Sequence, residues 1–248
     1  NDAFGVAHRR GASLTVLPRL LPSYLGLSFE QELRVLGRLL SRPRRPLVAV
    51  FGGAKIETKI QLLRRFSRLA DSLLVGGAIA NVLLAARGVS VGRSLGTGAS
   101  QPSRAIRSIA VSRRLLLPTD AVVASRRGGM HTRTVSLAAL GAGEFIGDIG
   151  PETTRIFTRA LRHAGSVVWN GPLGLVELEP YRAGTRAIAR AIARHGTHAV
   201  VGGGDTIAFL AMNRLLGRFT HVSSGGGAML AYLAGEKLPA LEALKRIP

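Results

Sequence analysis

Short hydrophobic runs that end in glycine recur along the chain, and segments with apolar residues at helical spacing follow several of them. Apolar runs of about four to eight residues, bounded by turn residues, are typical of strands that are covered on both faces. Five such strands are predicted, at residues 46–51, 72–75, 166–169, 198–201 and 219–223. One more is predicted from residues 115–117 together with 121–124, interrupted by Pro118.

Helices are predicted after three of these strands, and one of them begins at Asp205, before Ile207-Ala208-Phe209-Leu210. Apolar residues at helical intervals follow Gly53, namely Ile56, Ile60, Leu63 and Leu69. Residues 81–86 form another helix, which ends at the stop signal Arg87-Gly88. The alternation of strand and helix signals predicts an α/β fold with a mainly parallel sheet.

A separate helix is predicted near the beginning of the chain. Ser28 could cap it, and four apolar residues share one face: Phe29, Leu33, Leu36 and Leu40. Arg42-Pro43 cannot continue the helix. We therefore expect a linker helix over residues 28–42 that joins two bodies, with only a stub of the first body before it.

Composition narrows the possible functions. The chain has 34 lysines and arginines and a net charge of +20, and only Lys55, Lys59, Lys237 and Lys245 are lysines, which leaves 30 arginines. Such a charge attracts anions, including nucleic acid. The arginines are scattered among apolar residues without aromatic interleaving, so a solvated basic surface is favoured over a nucleic-acid-binding face. The absence of cysteine excludes disulfides and cysteine metal ligands, and no apolar run approaches the length of a membrane span.

Glycine clusters stand where several of the predicted strands end: Gly52-Gly53, Gly76-Gly77, Gly202-Gly203-Gly204 and Gly225-Gly226-Gly227. The carboxyl ends of parallel strands meet at one edge of a sheet, where ligands bind. Glycine lets backbone N–H groups approach a ligand closely, and a helix that begins there favours phosphate. The pattern predicts a phosphate-binding edge, although the chain has no Walker A sequence.

Three kinds of side chain could act at this edge. Lys55 and Lys59 are four residues apart, so one helix face could present both to a phosphate; the alternative is two solvated lysines. Asp205 follows three glycines and could hold Mg²⁺ on a nucleotide, cap a helix, or do both. Glu177 follows an irregular Gly/Pro-rich loop and could accept hydrogen bonds from ribose hydroxyls, or it is a surface acid. Trp169 is expected to pack in the core.

Further segments complete a specific order and spacing. They are Asn1-Asp2-Ala3-Phe4-Gly5, Ala7-His8-Arg9, Gly52-Gly53-Ala54-Lys55-Ile56, Gly76-Gly77-Ala78-Ile79-Ala80-Asn81, Leu117-Pro118-Thr119-Asp120, Asp148-Ile149-Gly150-Pro151, Trp169-Asn170-Gly171-Pro172-Leu173-Gly174, Gly184-Thr185, Gly202-Gly203-Gly204-Asp205-Thr206 and Ser223-Ser224-Gly225-Gly226-Gly227-Ala228. Together they resemble phosphoglycerate kinase over essentially the whole chain.

The resemblance implies a hinge-closing kinase of two domains that transfers phosphate reversibly between ATP and 3-phosphoglycerate, giving ADP and 1,3-bisphosphoglycerate. The implied fold is a Rossmann-like parallel sheet with helices on both faces, plus a remnant of an N-terminal domain. The expected divisions are 1–27 as that remnant, 28–42 as the interdomain helix, 43–235 as the nucleotide-binding domain and 236–248 as a tail. We expect a cytoplasmic monomer that has no membrane or nucleic-acid partner.

The resemblance also implies roles for individual residues. Lys55 and Lys59 would contact the nucleotide phosphates and the transferring group, and Arg9 would grip the phosphate of phosphoglycerate. Gly76 and Gly77 would line the adenine pocket, Asn170 and Pro172 would border the nucleotide, and Glu177 would bind the ribose. The phosphates would be held by Gly203, Gly204, Asp205 and Thr206, with Asp205 on Mg²⁺. Gly226 and Gly227 would begin a helix that points at the transferring phosphoryl group.

Some features depart from the family pattern. Ala78 stands where glycine is frequent, which could narrow the adenine slot, and Ser224 replaces a frequent threonine. The family's early segments that complete the phosphoglycerate site and supply a catalytic arginine would precede residue 1, which is not methionine, so we expect the sequence to begin inside a longer protein. The chain alone is then expected to bind nucleotide without useful turnover. A nucleotide-binding module without kinase activity and a basic nucleic-acid-associated protein are the alternatives.

Overall fold

A computed structural model of the chain describes residues 1–96, 102–194 and 197–244. The strands, in chain order, are β1 (Leu47–Phe51), β2 (Ser72–Val75), β3 (Leu115–Leu116), β4 (Asp120–Ala124), β5 (Arg133–Ser136), β6 (Phe145–Ile149), β7 (Ser166–Asn170), β8 (His198–Gly202) and β9 (His221–Val222). The helices are α1 (Ala12–Thr15), α2 (Leu27–Ser41), α3 (Ile60–Leu69), α4 (Gly77–Ala86), α5 (Arg104–Ala110), α6 (Pro151–Leu161), α7 (Ala183–Arg194), α8 (Gly204–Met212), α9 (Gly226–Ala234) and α10 (Pro239–Leu244).

Six strands form one parallel sheet in the order β3-β2-β1-β7-β8-β9. The chain builds outward from β1 in one direction and then from β7 in the other, so the topological switch point lies between these two strands. Their register pairs Leu47 with Ser166 and Phe51 with Asn170, which brings their carboxyl ends side by side. The predicted α/β fold with a parallel sheet is confirmed.

Helices cover both faces of this sheet. Ala49 and Phe51 of β1 enter a hydrophobic cluster with α3, α4 and α9, whereas Val48 and Val50 enter a second cluster with α6, α7 and α8. Alternate residues of a strand point to opposite faces, so a strand that is buried on both sides needs apolar residues at every position. This requirement explains why the central strands read as continuous hydrophobic runs.

A second sheet, which the sequence analysis did not predict, has three antiparallel strands in the order β5-β4-β6. The single strand expected across residues 115–124 was wrong, because the chain turns at Pro118 and enters the second sheet as β4. Asp120 fixes this turn: its carboxylate accepts hydrogen bonds from the Thr153 backbone N–H (2.7 Å) and hydroxyl (2.6 Å), at the start of α6. A remote carboxylate thus caps that helix.

The linker helix α2 begins at Leu27, so the expected cap at Ser28 was wrong. Asp2 takes that role from the N-terminal segment, and its Oδ1 accepts the backbone N–H of Phe29 at 2.9 Å. Helix α4 ends before Arg87-Gly88 as predicted. Helix α3 begins only at Ile60, because residues 53–59 form turns after β1.

Residues 1–26 pack against the main body. The rings of Phe4 and Phe29 meet edge to face with centroids 5.4 Å apart, and the backbone N–H of Ala240 donates to the carbonyl of Ala7. Helix α1 consequently lies against α10. Within the described ranges, no helix combines the length and the apolar character that crossing a bilayer demands.

Candidate functional site

The loops after β1, β2 and β7 are joined by backbone hydrogen bonds at the switch point. Gly52 N donates to Asn170 O (3.0 Å), Gly53 N to Pro172 O (2.9 Å) and Gly77 N to Leu173 O (2.9 Å). A Cβ atom on Gly52 would overlap the Pro172 carbonyl. Glycine is therefore required there for the loops to approach each other, which is a steric role distinct from ligand contact.

Lys59 lies behind this junction with only 7% of its surface exposed. It precedes α3, and its side chain turns back so that Nζ donates to the Gly52 carbonyl oxygen at 2.6 Å. Burial lowers the pKa of Lys59 to about 8, and the negative charge of Asp205 partly opposes this shift. Two N–H groups of the ammonium remain available to a ligand.

Lys55 and Lys59 do not share a helix face, so that expectation was wrong. Lys55 lies in the irregular segment after β1 and is exposed, whereas Lys59 is buried at the end of the same segment. Four-residue spacing brings side chains together only within a helix, and α3 has not yet begun at these positions. The two lysines therefore occupy different environments.

Asp205 lies in the first turn of α8 and is exposed. The expected N-cap role was wrong, because the capping position is Gly203, at φ +98°, which has no side chain to cap the helix. The next residue, Thr206, is buried, and its Oγ1 accepts the Gly171 N–H at 2.9 Å. Asp205 is thus free to face a ligand while Thr206 ties α8 to the loop after β7.

Two residues at the end of β7 contribute in different ways. Trp169 is fully buried, as predicted, and its Nε1 donates to Gly171 O at 2.8 Å. The neighbouring Asn170 is also buried, and its Nδ2 has no hydrogen-bond partner within the described part of the chain. A buried amide without a partner is costly, so this donor is available to an acceptor group of a ligand.

A cleft of about 220 Å³ opens beside these loops. Of the residues predicted for the site, it brings together Gly77, Pro172, Glu177 and Asp205. Several of its lining residues were not predicted from the sequence, namely Asn81, Leu95, Arg127, Phe145, Ile146 and Gly147. Three of them belong to β6, and only recognition of the second sheet could have identified that wall.

The loop before α9 lies next to the loop before α8. A Cβ on Gly226 would lie 3.3 Å from the Cα of Gly203, and a Cβ on Gly227 would lie 2.7 Å from His8 Nε2. Gly226 and Gly227 are the first residues of α9, so the expected helix start is present. Arg9 follows His8 but is exposed and does not line the cleft.

Two buried acids, for which the sequence predicted no role, support the loops. Glu32 of α2 accepts hydrogen bonds from Ser224 N (2.6 Å) and Oγ (2.8 Å) and lies 2.8 Å from His221 Nε2. Burial alone would raise the pKa of Glu32, but the hydrogen bonds from His221 and Ser224 hold it below its ordinary value. The backbone then runs directly from Ser224 into the glycines that start α9.

The second acid, Asp148 of β6, is almost fully buried. Its carboxylate accepts hydrogen bonds from the backbone N–H groups of Gly184 (2.8 Å) and Ile149 (2.9 Å). Burial raises the pKa of Asp148 to about 7, although these two hydrogen bonds act to lower it. A Cβ on Gly174 would overlap its carboxylate. Asp148 therefore lies directly beneath the loop that carries Glu177.

The donor set decides which metal could bind. No group of three or more histidine or acidic side chains within the described residues could hold an ion by itself. Mg²⁺ needs only one or two carboxylates from a protein when phosphate oxygens and water complete its shell. The exposed carboxylate of Asp205 fits this requirement for Mg²⁺ that arrives with a nucleotide, and the start of α8 beside it favours the phosphates.

The chain has a doubly wound parallel sheet with a cleft at its switch point. Its strand order is that of the dinucleotide-binding folds, which places it in this class of α/β proteins. Within that class, a family model described as phosphoglycerate kinase matches residues 1–236. The phosphoglycerate kinases of Pelotomaculum thermopropionicum and Chloroflexus aggregans are 45% and 43% identical over 98% and 99% of this chain. The chain belongs to the phosphoglycerate kinase family.

Solved structures agree. The phosphoglycerate kinases of Coxiella burnetii and Pyrococcus horikoshii superpose with TM-scores of 0.88 and 0.87, at 37% and 33% identity over 99% of this chain. This chain covers 64% and 63% of those two proteins, and it spans 63% of the length of both curated relatives.

Proposed function

We propose that this chain is the nucleotide-binding part of a phosphoglycerate kinase, which transfers a phosphoryl group reversibly between ATP and 3-phosphoglycerate in glycolysis. One observation carries the proposal. The glycine loops after β1, β2 and β7 join at the switch point, where the buried Lys59 ammonium and the exposed Asp205 carboxylate flank a single junction. The family membership supplies the reaction.

The base and ribose would occupy the cleft. Gly76 and Gly77 lie at the turn from β2 into α4, and Gly77 lines the cleft in which the base would lie. Ala78 also lines the cleft, so its methyl group would lie against the base. Pro172 borders the same space, and Glu177 would accept hydrogen bonds from the ribose hydroxyls.

The phosphates would lie along the glycine loops. The unpaired Asn170 Nδ2 and the two remaining N–H groups of Lys59 supply donors, and the backbone of residues 203–206 at the start of α8 supplies a partial positive charge. Asp205 would hold the Mg²⁺ that accompanies the nucleotide. When bound, this ion neutralises phosphate charge.

Transfer requires positioning and charge neutralisation by the chain. A carboxylate oxygen of 3-phosphoglycerate attacks the γ-phosphorus of ATP, and the bond to the β–γ bridging oxygen breaks to release ADP. Lys59 would offset the charge on the transferring group, with Lys55 on the solvent side. The N–H groups of Gly226 and Gly227 would face the same group from the start of α9.

The acceptor would approach from the N-terminal side, where Arg9 would bind its phosphate. His8, the residue before Arg9, already contacts the start of α9.

We further propose that residues 1–27 belong to the phosphoglycerate-binding domain, 28–42 to the interdomain helix, 43–235 to the nucleotide domain and 236–248 to a tail. Residues 245–248 of that tail lie outside the described residues. A glycolytic role supports a cytoplasmic enzyme, and we propose that it is a monomer.

A second candidate is a nucleotide-binding module without kinase activity, which is favoured by the exposure of Arg9 and its position outside the cleft. Both candidates make the same prediction for the 248-residue chain, so turnover is the one result in the following experiment that would separate them. Mg·ADP should raise its melting temperature, whereas a coupled assay with ATP and 3-phosphoglycerate should show no useful turnover. Normal turnover would exclude the module, and the absence of any stabilisation by Mg·ADP would contradict both candidates.

A further inference from the structure

Arg127, which the sequence indicates only as part of a basic surface, lines the cleft from the loop after β4. It follows β4 by three residues. Among the residues that the structure describes, it is the only cationic side chain in the lining of this cleft. The position of this charge therefore needs an explanation beyond solubility.

The position of Arg127 is on the apolar side of the cleft. β4 pairs with β6, and the register places Ala124 opposite Phe145, which lines the cleft together with Ile146. The residues on the phosphate side come instead from the parallel sheet, as Gly53 and Asp205 do. Arg127 thus projects from the wall along which a base would lie rather than from the phosphate edge.

The loop that carries Arg127 is held in place. The Tyr181 hydroxyl donates to the Gly129 carbonyl oxygen at 2.5 Å, and Tyr181 itself is fully buried. Gly128 has φ +72°, and a Cβ there would lie 3.3 Å from Leu178 Cδ1. These contacts fix the loop beside the Glu177 segment, so the guanidinium starts from an anchored backbone.

The guanidinium is also available. Arg127 is exposed, and within residues 1–96, 102–194 and 197–244 no group accepts a hydrogen bond or forms an ion pair with it. Its neighbour Arg126 is equally exposed but does not line the cleft. A planar guanidinium stacks on aromatic faces, which an ammonium does not do in the same way.

We propose that Arg127 is a specificity-determining residue whose guanidinium covers the open face of the nucleotide base. This inference rests on the proposed nucleotide-binding function. It predicts that Arg127 strengthens the binding of ligands that carry a base and adds little to the binding of a bare polyphosphate. It also predicts that the planarity of the group is required in addition to its charge.

Calorimetric titration of the 248-residue chain with Mg·ADP and with Mg·tripolyphosphate tests the inference. Arg127→Ala should weaken Mg·ADP binding roughly tenfold and leave tripolyphosphate binding within about twofold. Arg127→Lys should recover little of the loss, because it restores charge without a plane. Arg126→Ala is the matched control and should bind both ligands as the unmodified chain does.

Four results would overturn the inference. Equal losses for both ligands in Arg127→Ala would show a phosphate contact, and full recovery by Arg127→Lys would show a role for charge alone. Unchanged Mg·ADP binding by Arg127→Ala would show that Arg127 does not contact the base, and it would leave the proposed nucleotide-binding function intact. Failure of the unmodified chain to bind either ligand would instead contradict the nucleotide proposal, and this inference with it.

Discussion

The ammonium of Lys59 donates to the carbonyl oxygen of Gly52 at 2.6 Å, beneath the junction of the loops after β1 and β7. This contact holds a cation at the switch point of the sheet while it is almost removed from water. An ammonium in such a position is costly to the free protein and valuable to an anion that can reach it. The contact between Lys59 and Gly52 therefore affects both the stability of the free chain and its affinity for an anionic ligand.

Nucleotide affinity should fall as the pH rises through about 8. Burial lowers the pKa of Lys59 to about 8, whereas a bound polyphosphate favours the protonated form. Above this pH, binding requires proton uptake, and the affinity should fall by up to about tenfold for each pH unit. Calorimetry at pH 7, 8 and 9 measures how steeply the affinity falls with pH. Lys59→Met should make this dependence flatter. Lys237→Met, at a lysine outside the cleft, should leave it unchanged.

Lys59→Met should also stabilise the free chain. The pKa of Lys59 is about 8 in the folded chain and about 10.5 in the unfolded chain. Burying the charged ammonium therefore lowers the free energy of unfolding fully below pH 8, and this destabilisation is relieved as the pH rises towards 10.5. Loss of the bond to Gly52 offsets part of the gain, so we expect about 1–2 kcal/mol at pH 7. Chemical denaturation at pH 7 and pH 10 should show the advantage of the variant shrinking at the higher pH.

Gly52→Ala should damage both folding and binding. A Cβ at this position overlaps the carbonyl oxygen of Pro172, so the loops after β1 and β7 must separate. We expect a loss of about 2 kcal/mol or more in the free energy of unfolding and weaker Mg·ADP binding. Gly217→Ala, where no atom lies near the new methyl group, is the matched control. Equal stability of the two variants would contradict the observed approach of the loops.

Glu32→Gln should destabilise the chain at neutral pH. The carboxylate accepts two hydrogen bonds from Ser224 and meets His221, and these partners hold the pKa of Glu32 below its ordinary value. A lowered carboxyl pKa contributes stability above the unfolded value, which is lost as the pH falls through the folded value. We expect a loss of about 1–3 kcal/mol at pH 7 that narrows below about pH 4. Glu30→Gln, in an exposed pair with Arg34, should cost less than about 0.5 kcal/mol.

Asp148 should give the opposite pH dependence. Burial raises the pKa of this carboxyl to about 7, so the folded state holds the proton more tightly than the unfolded state. Its contribution to stability falls as the pH rises from about 4 to about 7, and the cost of the buried charge is complete above that range. Denaturation curves at pH 5 and pH 8 should show a smaller pH-dependent loss for Asp148→Asn. The exposed control Glu57→Gln should follow the unmodified chain.

The parallel sheet could be predicted because its strands are buried on both faces, and such strands appear as apolar runs between glycines. Residues 72–75 were predicted with the bounds that β2 has in the structure. The second sheet was missed because β5 exposes three of its four residues, so its sequence gives little hydrophobic signal. Pro118 was interpreted as an interruption of one strand although it separates two sheets.

The candidate site was predictable only in part. Glycine clusters at strand ends indicated the loops, and the family resemblance supplied the roles. The burial of Lys59 depends on Gly52 and on Gly171, which lies more than a hundred residues further along the chain. The contact between Glu32 and His221 joins residues separated by 189 positions. Local patterns carry no information about such pairs.

The central claim is that the junction of glycine loops holds the phosphates of a magnesium-bound nucleotide, with Asp205 on the metal. Calorimetric titration of ADP into the unmodified chain and into Asp205→Asn, with Mg²⁺ and with EDTA, tests it directly. We predict that Mg²⁺ strengthens ADP binding to the unmodified chain by about tenfold or more, and that Asp205→Asn removes most of this gain while binding metal-free ADP nearly as well. An equal effect of Mg²⁺ on both proteins, or no ADP binding by either, would contradict the claim.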